Sequence, residues 1–281
     1  MVKQRAYNVL GNLAIVNFSD GFGKVGRQSR TSKNFHESKM SRKSLLEAKK
    51  RFANKILKDH PSVKTILEKS GKFAGRLRKM QTKYIAGEKT KEVLYRENGC
   101  VFRFNIDTSY FSPRLSNERK EIASKIKKNE NVLVMFAGVA PFSIVIAKQS
   151  KAKRVVSNEL NREANKYAKL NVELNKLKEK VEIVGGDVKK VVGKIKESFD
   201  VIVMPRPQLK DTFLESAFKV SKKGTRIYYY DFCRIEDVDL IVEKIKADAK
   251  KAKKKIKILK TKSAGEIAPY KIRVRVDFKV L

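Results

Sequence analysis

Short apolar segments alternate with longer segments of helical periodicity through the second half of this chain. The apolar segments lie at 131–136, 154–158, 181–185, 199–204 and 225–230, and the helical ones at 143–149, 161–178, 209–221 and 236–253. Buried strands separated by helices are typical of a doubly wound, mostly parallel sheet. Residues 255–281 add two further strands, the last alternating along RVRVDFKV. The pattern predicts an α/β domain with a Rossmann-like sheet over residues 129–281.

The first hundred residues have a different pattern. Residues 7–18 are rich in β-branched side chains around a Gly-Asn turn and predict a strand pair. A basic stretch rich in Gly and Ser follows at 19–42 and predicts a mobile loop. From Ser44 to Asp59, apolar residues recur at helical spacing, which predicts an amphipathic helix.

Two more elements complete this part of the chain. Val63–Lys69 is predicted as another short helical turn, and 80–107 as antiparallel strands joined by an Asn-Gly turn at 98–99. We therefore expect a small basic α+β domain over residues 1–108, with a helical connector at 109–128 leading into the sheet.

The charge balance indicates a polyanionic partner. The chain has 66 Lys and Arg against 30 Asp and Glu, a formal charge of +36 and a pI near 10.1. Such a field attracts phosphate, so nucleic acid is the first partner to consider. A lysine-rich surface built for ion pairing at high temperature is the alternative, but such networks need acids and bases in balance.

The sequence has too few cysteines and histidines to support a disulfide framework or a metal site. Cys100 and Cys233 are the two cysteines, and His36 and His60 are the two histidines. Neither a disulfide framework nor a metal site is expected from so few ligands. The N-terminal segment lacks an apolar signal core, and no run reaches the length of a membrane span. We expect a soluble, cytoplasmic monomer.

A turn of small residues follows the first predicted strand of the sheet. It reads Phe136-Ala137-Gly138-Val139-Ala140 and opens a helix, so backbone amides can approach a ligand there. A dinucleotide site needs a further glycine where Pro141 and Phe142 stand. The turn therefore favours a cofactor that has no phosphate to bind.

The next two strands end in carboxylates. Glu159 ends the second strand, roughly 20 positions after Gly138, where a carboxylate binds the ribose hydroxyls of a nucleoside. Asp187 follows the third strand, and it could accept from an adenine amino group while Val188 offers an amide. The alternatives are a solvated glutamate and an ordinary turn aspartate. Together the three strand ends predict S-adenosylmethionine as the cofactor.

The fourth strand ends in Pro205-Arg206-Pro207. Two prolines fix this loop and remove two backbone donors, which is unusual for a surface turn. Adenine- and guanine-modifying methyltransferases place an Asn/Asp-Pro-Pro/Leu turn here against the target base, so we interpret the loop as part of the substrate site.

These segments, in this order, resemble the archaeal and eukaryotic tRNA (guanine-N1)-methyltransferase family, which modifies the purine 3′ of the anticodon. The resemblance rests on YFSPRLSNER at 110–119, FAGVAPFSI at 136–144, NELN at 158–161, GD at 186–187, IYYYDF at 227–232 and the closing APYKIRVRVDFKV. HPSVKTIL at 60–67 and ENGCVFRFNID at 97–107 resemble the family's RNA-facing domain. It implies a class I methyltransferase that uses S-adenosylmethionine and binds the anticodon stem-loop of tRNA.

The resemblance also implies roles for single residues. Arg114 matches the family's catalytic arginine, which is thought to stabilise charge on the target guanine, and Pro205 and Pro207 occupy the base-contacting turn. The implied cofactor contacts are Phe136, Ala137, Gly138, Val139, Glu159, Leu160, Asp187, Val188 and Tyr229.

The chain departs from the family pattern at several positions. Val134 stands where an acid is usual, Pro205 replaces an Asn, Ala140 replaces a Gly and Tyr228 replaces a His. Asp187 or Asp231 could then serve as the base that accepts the guanine proton. The alternatives are methylation of the tricyclic wyosine precursor, alone or in addition, and a non-catalytic tRNA-binding protein.

Overall fold

A computed structural model describes residues 7–18, 24–26, 37–39, 41–71 and 80–281 of the chain. The described residues up to Tyr95, with Phe104–Thr108, form a smaller unit, and Arg96–Arg103 with Ser109–Leu281 form a larger one. The smaller unit ends at Thr108, and Arg96–Arg103, which the sequence prediction placed in the small domain, belongs to the larger unit. The predicted connector at 109–128 belongs to the larger unit, because its helix packs there.

The smaller unit contains a four-stranded sheet and one helix. Its elements are β1 Tyr7–Leu10, β2 Leu13–Val16, α1 Arg42–Asp59, β5 Thr65–Lys69 and β6 Thr82–Gly87, with sheet order β1-β2-β5-β6. β3 Lys24–Gly26 and β4 Glu37–Lys39 pair with each other, and most of the loop predicted at 19–42 otherwise lies outside the described residues. Ala53 and Ile56 of α1 are buried against this sheet in one hydrophobic cluster.

The prediction of a helical turn at Val63–Lys69 is wrong, because this segment is strand β5. It pairs parallel with β2 on one side and antiparallel with β6 on the other. Thr65, Ile66 and Leu67 are all buried, so both faces of the strand are covered and the alternation that marks a half-exposed strand is missing. The neighbouring hairpin is as predicted: β7 Glu92–Glu97 and β8 Cys100–Asn105 flank Asn98 and Gly99, both at positive φ.

The larger unit is the predicted doubly wound sheet. Its elements are α2 Ser116–Ser124, β9 Asn131–Met135, α3 Pro141–Gln149, β10 Arg154–Glu159, α4 Arg162–Leu174, β11 Val181–Gly185, α5 Val188–Val191, β12 Phe199–Met204, α6 Leu214–Lys219, β13 Ser221–Arg234, α7 Val238–Lys251, β14 Ile256–Ala268 and β15 Lys271–Val280.

The order of its seven strands is β11-β10-β9-β12-β13-β15-β14. The strands from β11 to β13 are parallel, and β15 and β14 close the sheet as an antiparallel hairpin. The chain winds outward in one direction from β9 to β11 and in the other from β12 to β13. The carboxyl ends of β9, β10 and β12 therefore flank a topological switch point, where such sheets bind ligands.

The parallel strands are apolar because helices cover both faces of the sheet. Val132–Met135 in β9 and Val201–Met204 in β12 are fully buried. The last strand, β15, alternates in sequence between apolar and charged residues but not in burial. Its charged residues Arg273, Arg275 and Asp277 are buried as well as its apolar ones. None of the helices in the described part of the chain is long and apolar enough to cross a membrane.

Candidate active site at the carboxyl edge of the sheet

The turn after β9 is built from left-handed backbone. Phe136, Gly138 and Ala140 have φ values of 57°, 58° and 64°. A β-carbon at Gly138 would lie 3.3 Å from the carbonyl oxygen of Tyr110, so the chain segment that carries Arg114 passes directly against this turn. Pro141 then begins α3, where its missing N–H costs nothing.

Glu159 joins the end of β10 to that turn. Its Oε2 accepts from the backbone N of Gly138 at 2.8 Å, and its Oε1 from the backbone N of Asn161 at 2.7 Å. These bonds use about two of the roughly four acceptor positions of a carboxylate, and the backbone amide of Leu160 also hydrogen-bonds it. Burial raises the pKa of Glu159, against the lowering effect of the backbone hydrogen bonds. The carboxylate is thus held in a fixed orientation and can still accept from hydroxyl groups of a ligand.

Two asparagines that we did not select from the sequence hold the strand ends in place. The side-chain amide of Asn158 donates to the carbonyls of Val184 and Gly186 at 3.0 and 3.1 Å. That of Asn165 donates to the carbonyl of Glu159 at 2.8 Å, and its buried Oδ1 has no hydrogen-bond partner among the described residues. Both lie within a few positions of Glu159 in a segment with three Asn, which is the only signal the sequence offered.

Asp187 ends β11 as the N-cap of α5. Its carboxylate accepts from the backbone N of Lys189 at 3.0 Å, while the Val188 side chain is buried in the main hydrophobic cluster. The predicted nucleoside contacts at these positions would therefore involve the Asp187 carboxylate and the backbone of Val188.

The loop after β12 is organised by a buried arginine. Arg206 forms an ion pair with Asp231, and it donates to the carbonyls of Leu209 and Asp211, the latter at 2.6 Å. Its guanidinium carbon also lies 5.5 Å from the ring centroid of Tyr229. Arg206 is only 1% exposed, so the side chain between the two prolines points into the protein and holds the loop from inside.

Tyr229 and Asp231 are occupied by this same cluster. The Tyr229 hydroxyl donates to Asp231 Oδ2 at 2.9 Å, and the backbone N of Phe232 donates to Asp231 Oδ1 at 2.8 Å. Tyr229 is fully buried and its hydroxyl is directed at Asp231, so its role as a cofactor contact stays a prediction. With Arg206 bound as well, Asp231 is engaged as a structural ion-pair partner and is poorly suited to be the base.

Arg114 lies on a 3-10 turn, Pro113–Leu115, directly before α2. Its side chain is exposed and makes no hydrogen bond or ion pair with any described residue. The turn itself is fixed by Arg119, which pairs with Glu97 and donates to the Ser112 carbonyl at 3.0 Å. The exposed Arg114 thus stands on a fixed turn four residues after Tyr110, whose carbonyl lies against the Gly138 turn.

A second buried network attaches α2 to the antiparallel edge of the sheet. Glu118 accepts from the Tyr230 hydroxyl at 2.9 Å and from Arg275 at 2.6 Å. Arg275 also binds Asp277 at 2.7 Å and Glu121 at 2.6 Å. The hydrogen bond from Arg275 is the main cause that lowers the pKa of Glu121 to about 2. Two neighbouring residues of the SNER motif therefore fix α2 in two directions. Glu118 binds Arg275 of the sheet, and Arg119 binds Glu97.

The arrangement can hold a nucleoside at the turn and the carboxylate, with a free cation at its side. The acceptor comes from β10, the close-approach turn from β9 and the cation from the segment before α2. Val134, where an acid was expected, is fully buried in β9. Asp187 and Asp231 were the two carboxylates considered as the base. Asp231 is held by the buried Arg206, which leaves Asp187 of the two.

Comparison with known proteins gives a family match over most of this unit. The model of the TRM5/TYW2 methyltransferase domain matches residues 93–259. The tRNA (guanine(37)-N(1))/4-demethylwyosine(37)-methyltransferase Taw22 of Nanoarchaeum equitans is 32% identical, covering 82% of this chain and 93% of that protein. The tRNA (guanine(37)-N(1))-methyltransferase Trm5b of Pyrococcus abyssi is 34% identical over 82% of this chain and 68% of its own length.

Solved structures match the fold along nearly the whole chain. A complex of aTrm5 with tRNALeu has a TM-score of 0.78 at 26% identity and covers 98% of this chain and 72% of that one. Trm5 of Methanocaldococcus jannaschii in complex with adenosine has a TM-score of 0.75 at 25% identity, over 98% and 74% of the two chains.

Proposed function

This chain belongs to the TRM5/TYW2 methyltransferase family, and on that premise we propose that it transfers a methyl group from S-adenosylmethionine to the purine at position 37 of tRNA. One observation carries the proposal: the exposed Arg114 stands on a turn held by the buried Arg119–Glu97 pair, and the same segment brings Tyr110 against Gly138, which binds Glu159. The net charge of +36 fits an RNA substrate and has no purpose for a small neutral one.

The residues at the carboxyl edge fit the adenosine part of this cofactor. Gly138 adopts a left-handed φ of 58° and lets the Tyr110 segment pack against the turn, since a β-carbon there would lie 3.3 Å from the Tyr110 carbonyl. The Glu159 carboxylate is oriented by two backbone amides and can accept from a vicinal pair of hydroxyls. When bound, S-adenosylmethionine supplies a sulfonium whose methyl group is electrophilic. A relative solved with adenosine supports the same choice.

Arg114 is the residue we assign to the substrate. Loss of the N1 proton from guanine places negative charge on O6, and a positioned guanidinium stabilises such a charge most effectively where water is excluded. Because Arg114 has no partner in the described protein, it pays no cost of breaking an existing ion pair when it turns toward a base.

A second substrate is favoured by the loop after β12. Pro205 and Pro207 offer no backbone donors, and Arg206 is drawn inward, so this loop presents a less polar surface than an Asn-containing turn would. A tricyclic wyosine precursor is larger and more apolar than guanine. The two-substrate name of the relative from Nanoarchaeum equitans supports 4-demethylwyosine as an additional substrate.

We further propose that the smaller unit, within residues 1–108, binds the RNA. Helix α1 buries Ala53 and Ile56 and exposes Lys50, Arg51 and Lys55 on the other side. Such a basic face suits phosphate contacts, which position the RNA without reading its sequence. A protein that acts on tRNA in this way is expected in the cytoplasm.

The proposed function is tested by mass spectrometry of tRNA nucleosides after incubation with protein and labelled S-adenosylmethionine. One substrate carries guanine at position 37 and another carries 4-demethylwyosine. Arg114→Ala should slow single-turnover transfer by about 100- to 1,000-fold, the usual effect of removing one charge-stabilising donor. Cofactor affinity, measured by calorimetry, should stay within a few-fold.

Lys120→Ala is the matched control, since Lys120 is an exposed cation on the same helix-turn segment. It should leave the rate within about two-fold, as expected for a solvated surface charge. Full activity of Arg114→Ala would remove its catalytic role. Tight tRNA binding by a wild-type protein that neither binds S-adenosylmethionine nor methylates either substrate would establish the non-catalytic alternative.

A further inference from the structure

The antiparallel edge of the sheet extends well past the ends of the parallel strands. Tyr229 of β13 pairs with Met204, the last residue of β12, and β13 then continues through Arg234. Five further residues of strand correspond to about 17 Å. Arg234 pairs with Lys271, which itself pairs with Ala268, so the β14–β15 turn lies at the far end of this extension.

The β14–β15 turn lies beyond the same edge of the sheet as the candidate active site, the edge formed by the carboxyl ends of the parallel strands. Strand β13 runs parallel to β12, so its carboxyl end points to the edge that carries Pro205 and Glu159. The β14–β15 hairpin is two to three strands away from β12, a lateral distance of roughly 12 Å at the usual strand spacing. The extension thus forms one wall beside the place where a substrate would enter.

Tyr270 occupies an unfavourable position in this turn. The two turn residues are Pro269 and Tyr270, and Tyr270 has a φ of 59°. Proline followed by a residue at positive φ is the pattern of a type II turn, whose third position favours Gly or Asn. A tyrosine there strains the backbone in a way that glycine does not. Its carbonyl accepts from the backbone N of Ile235 at 3.1 Å, a bond that any residue could make.

Packing does not explain the tyrosine either. Its side chain is 75% exposed, more than any other large apolar side chain in the described part of the chain. Ile235 and Ile267, next to it in the same extension, are 52% and 38% exposed. Lys271 and Arg234 are exposed beside them. Arg234 pairs with Glu236 at 3.2 Å, whereas Lys271 directly follows the tyrosine in the chain. An aromatic ring that neither stabilises the turn nor fills a core, and that has an exposed lysine next to it, matches the platforms on which proteins stack unpaired bases.

We propose that Tyr270 is a stacking platform for an unpaired nucleobase of the RNA substrate, next to the purine that is methylated. This inference rests on the proposed function, because it takes an anticodon loop as the substrate. The ring supplies a flat apolar surface, and the exposed Lys271 lies where it can meet an adjoining phosphate. The platform holds the loop at the tip of the extension, while the target purine is directed toward the Glu159 edge.

The test compares three substitutions at this one position. Tyr270→Gly and Tyr270→Ala should weaken binding of an unmodified tRNA transcript by roughly 5- to 150-fold, the range found when a stacking aromatic is removed. Tyr270→Phe keeps the ring and should bind within about two- to three-fold of the wild type. The thermal midpoint of Tyr270→Gly should equal or exceed that of the wild type, because glycine relieves the left-handed strain.

Two further measurements separate stacking from other causes. Leu259→Ala removes another exposed apolar side chain on the same hairpin, 50% exposed in strand β14, and should leave tRNA affinity unchanged. The salt dependence of binding should keep its slope in Tyr270→Gly, since no phosphate contact is lost.

Wild-type affinity in Tyr270→Gly would overturn the inference, as would an equal loss in Tyr270→Phe, which would point to the hydroxyl. Conversion of a wild-type dimer to a monomer by Tyr270→Gly would identify the surface as a self-contact instead. These results differ from a failure of the proposed function, in which the wild-type protein itself would not methylate tRNA.

Discussion

The substitution Glu159→Gln tests the cofactor site at its best-defined contact. Glu159 accepts from the backbone N of Gly138 at 2.8 Å and from that of Asn161 at 2.7 Å, one amide on each oxygen. A glutamine has a single oxygen and cannot satisfy both amides. It also loses the charge that strengthens any hydrogen bond from a ligand hydroxyl.

The expected loss follows from the number of hydroxyls. A hydrogen bond to a charged group contributes about 1.5–3 kcal/mol, against about 0.5–1.5 kcal/mol for a neutral one. Two ribose hydroxyls would each lose about 1 kcal/mol, so cofactor binding should weaken by about 2 kcal/mol, or roughly 30-fold. The unsatisfied backbone amide adds a smaller loss of fold stability.

Calorimetric titration with S-adenosylmethionine measures this effect directly. Glu163→Gln is the matched control, because Glu163 lies four positions further on in the first turn of α4, is partly exposed and pairs with the exposed Lys166. Its affinity should stay within about two-fold of the wild type. A folded Glu159→Gln protein that binds the cofactor less than three-fold more weakly would refute the reasoning.

The pH dependence gives the same prediction a second readout. Burial raises the pKa of Glu159, and the ionised form is the one that accepts from hydroxyls. Wild-type affinity should therefore be strongest above this raised pKa and should decline as the pH falls through it, at a higher pH than for an ordinary glutamate. Glu159→Gln should lack this decline.

Two further predictions concern the buried ion pairs. Arg206→Met leaves Asp231 without its cation and should lower the free energy of unfolding by about 3–5 kcal/mol in denaturant titrations. The double variant Arg206→Met/Asp231→Asn should recover at least half of that loss. A double variant as unstable as Arg206→Met alone would contradict the pairing. The folded-state pKa of Glu121 is about 2, below its usual 4.5, so its stabilising contribution is present above pH 4.5 and is lost as the pH falls toward 2. Glu121→Gln should flatten the stability curve in this window, whereas the exposed Glu173→Gln should leave it unchanged.

Much of the larger unit could be predicted from the sequence. Strands β9, β10, β11 and β12 lie within a residue of their predicted bounds, because short apolar runs between helical segments leave few other arrangements. The family prediction is confirmed by the match over 93–259. Strand β5 was missed because both of its faces are buried, which removes the alternation that distinguishes a strand from a helix.

The site was predicted less completely. Glu159 and Gly138 were found from their spacing and meet in a hydrogen bond. Asn158 and Asn165, which hold the strand ends, carry no pattern of their own. Tyr229 was selected as a cofactor contact because it lies in a matching motif, but a motif does not report the direction of a side chain. In the structure it points toward Asp231.

The sequence by itself determined where the strands lie along the chain, the residues at their carboxyl ends and the excess of positive charge. These properties are local or compositional, so a linear pattern contains them. The tertiary structure alone decided which charges are buried and what they bind. Arg275 meets Glu118 across 157 positions of chain, and Arg206 meets Asp231 across 25. A buried charge persists only where a partner is brought to it, and that partner is supplied by the folding of distant segments onto one sheet.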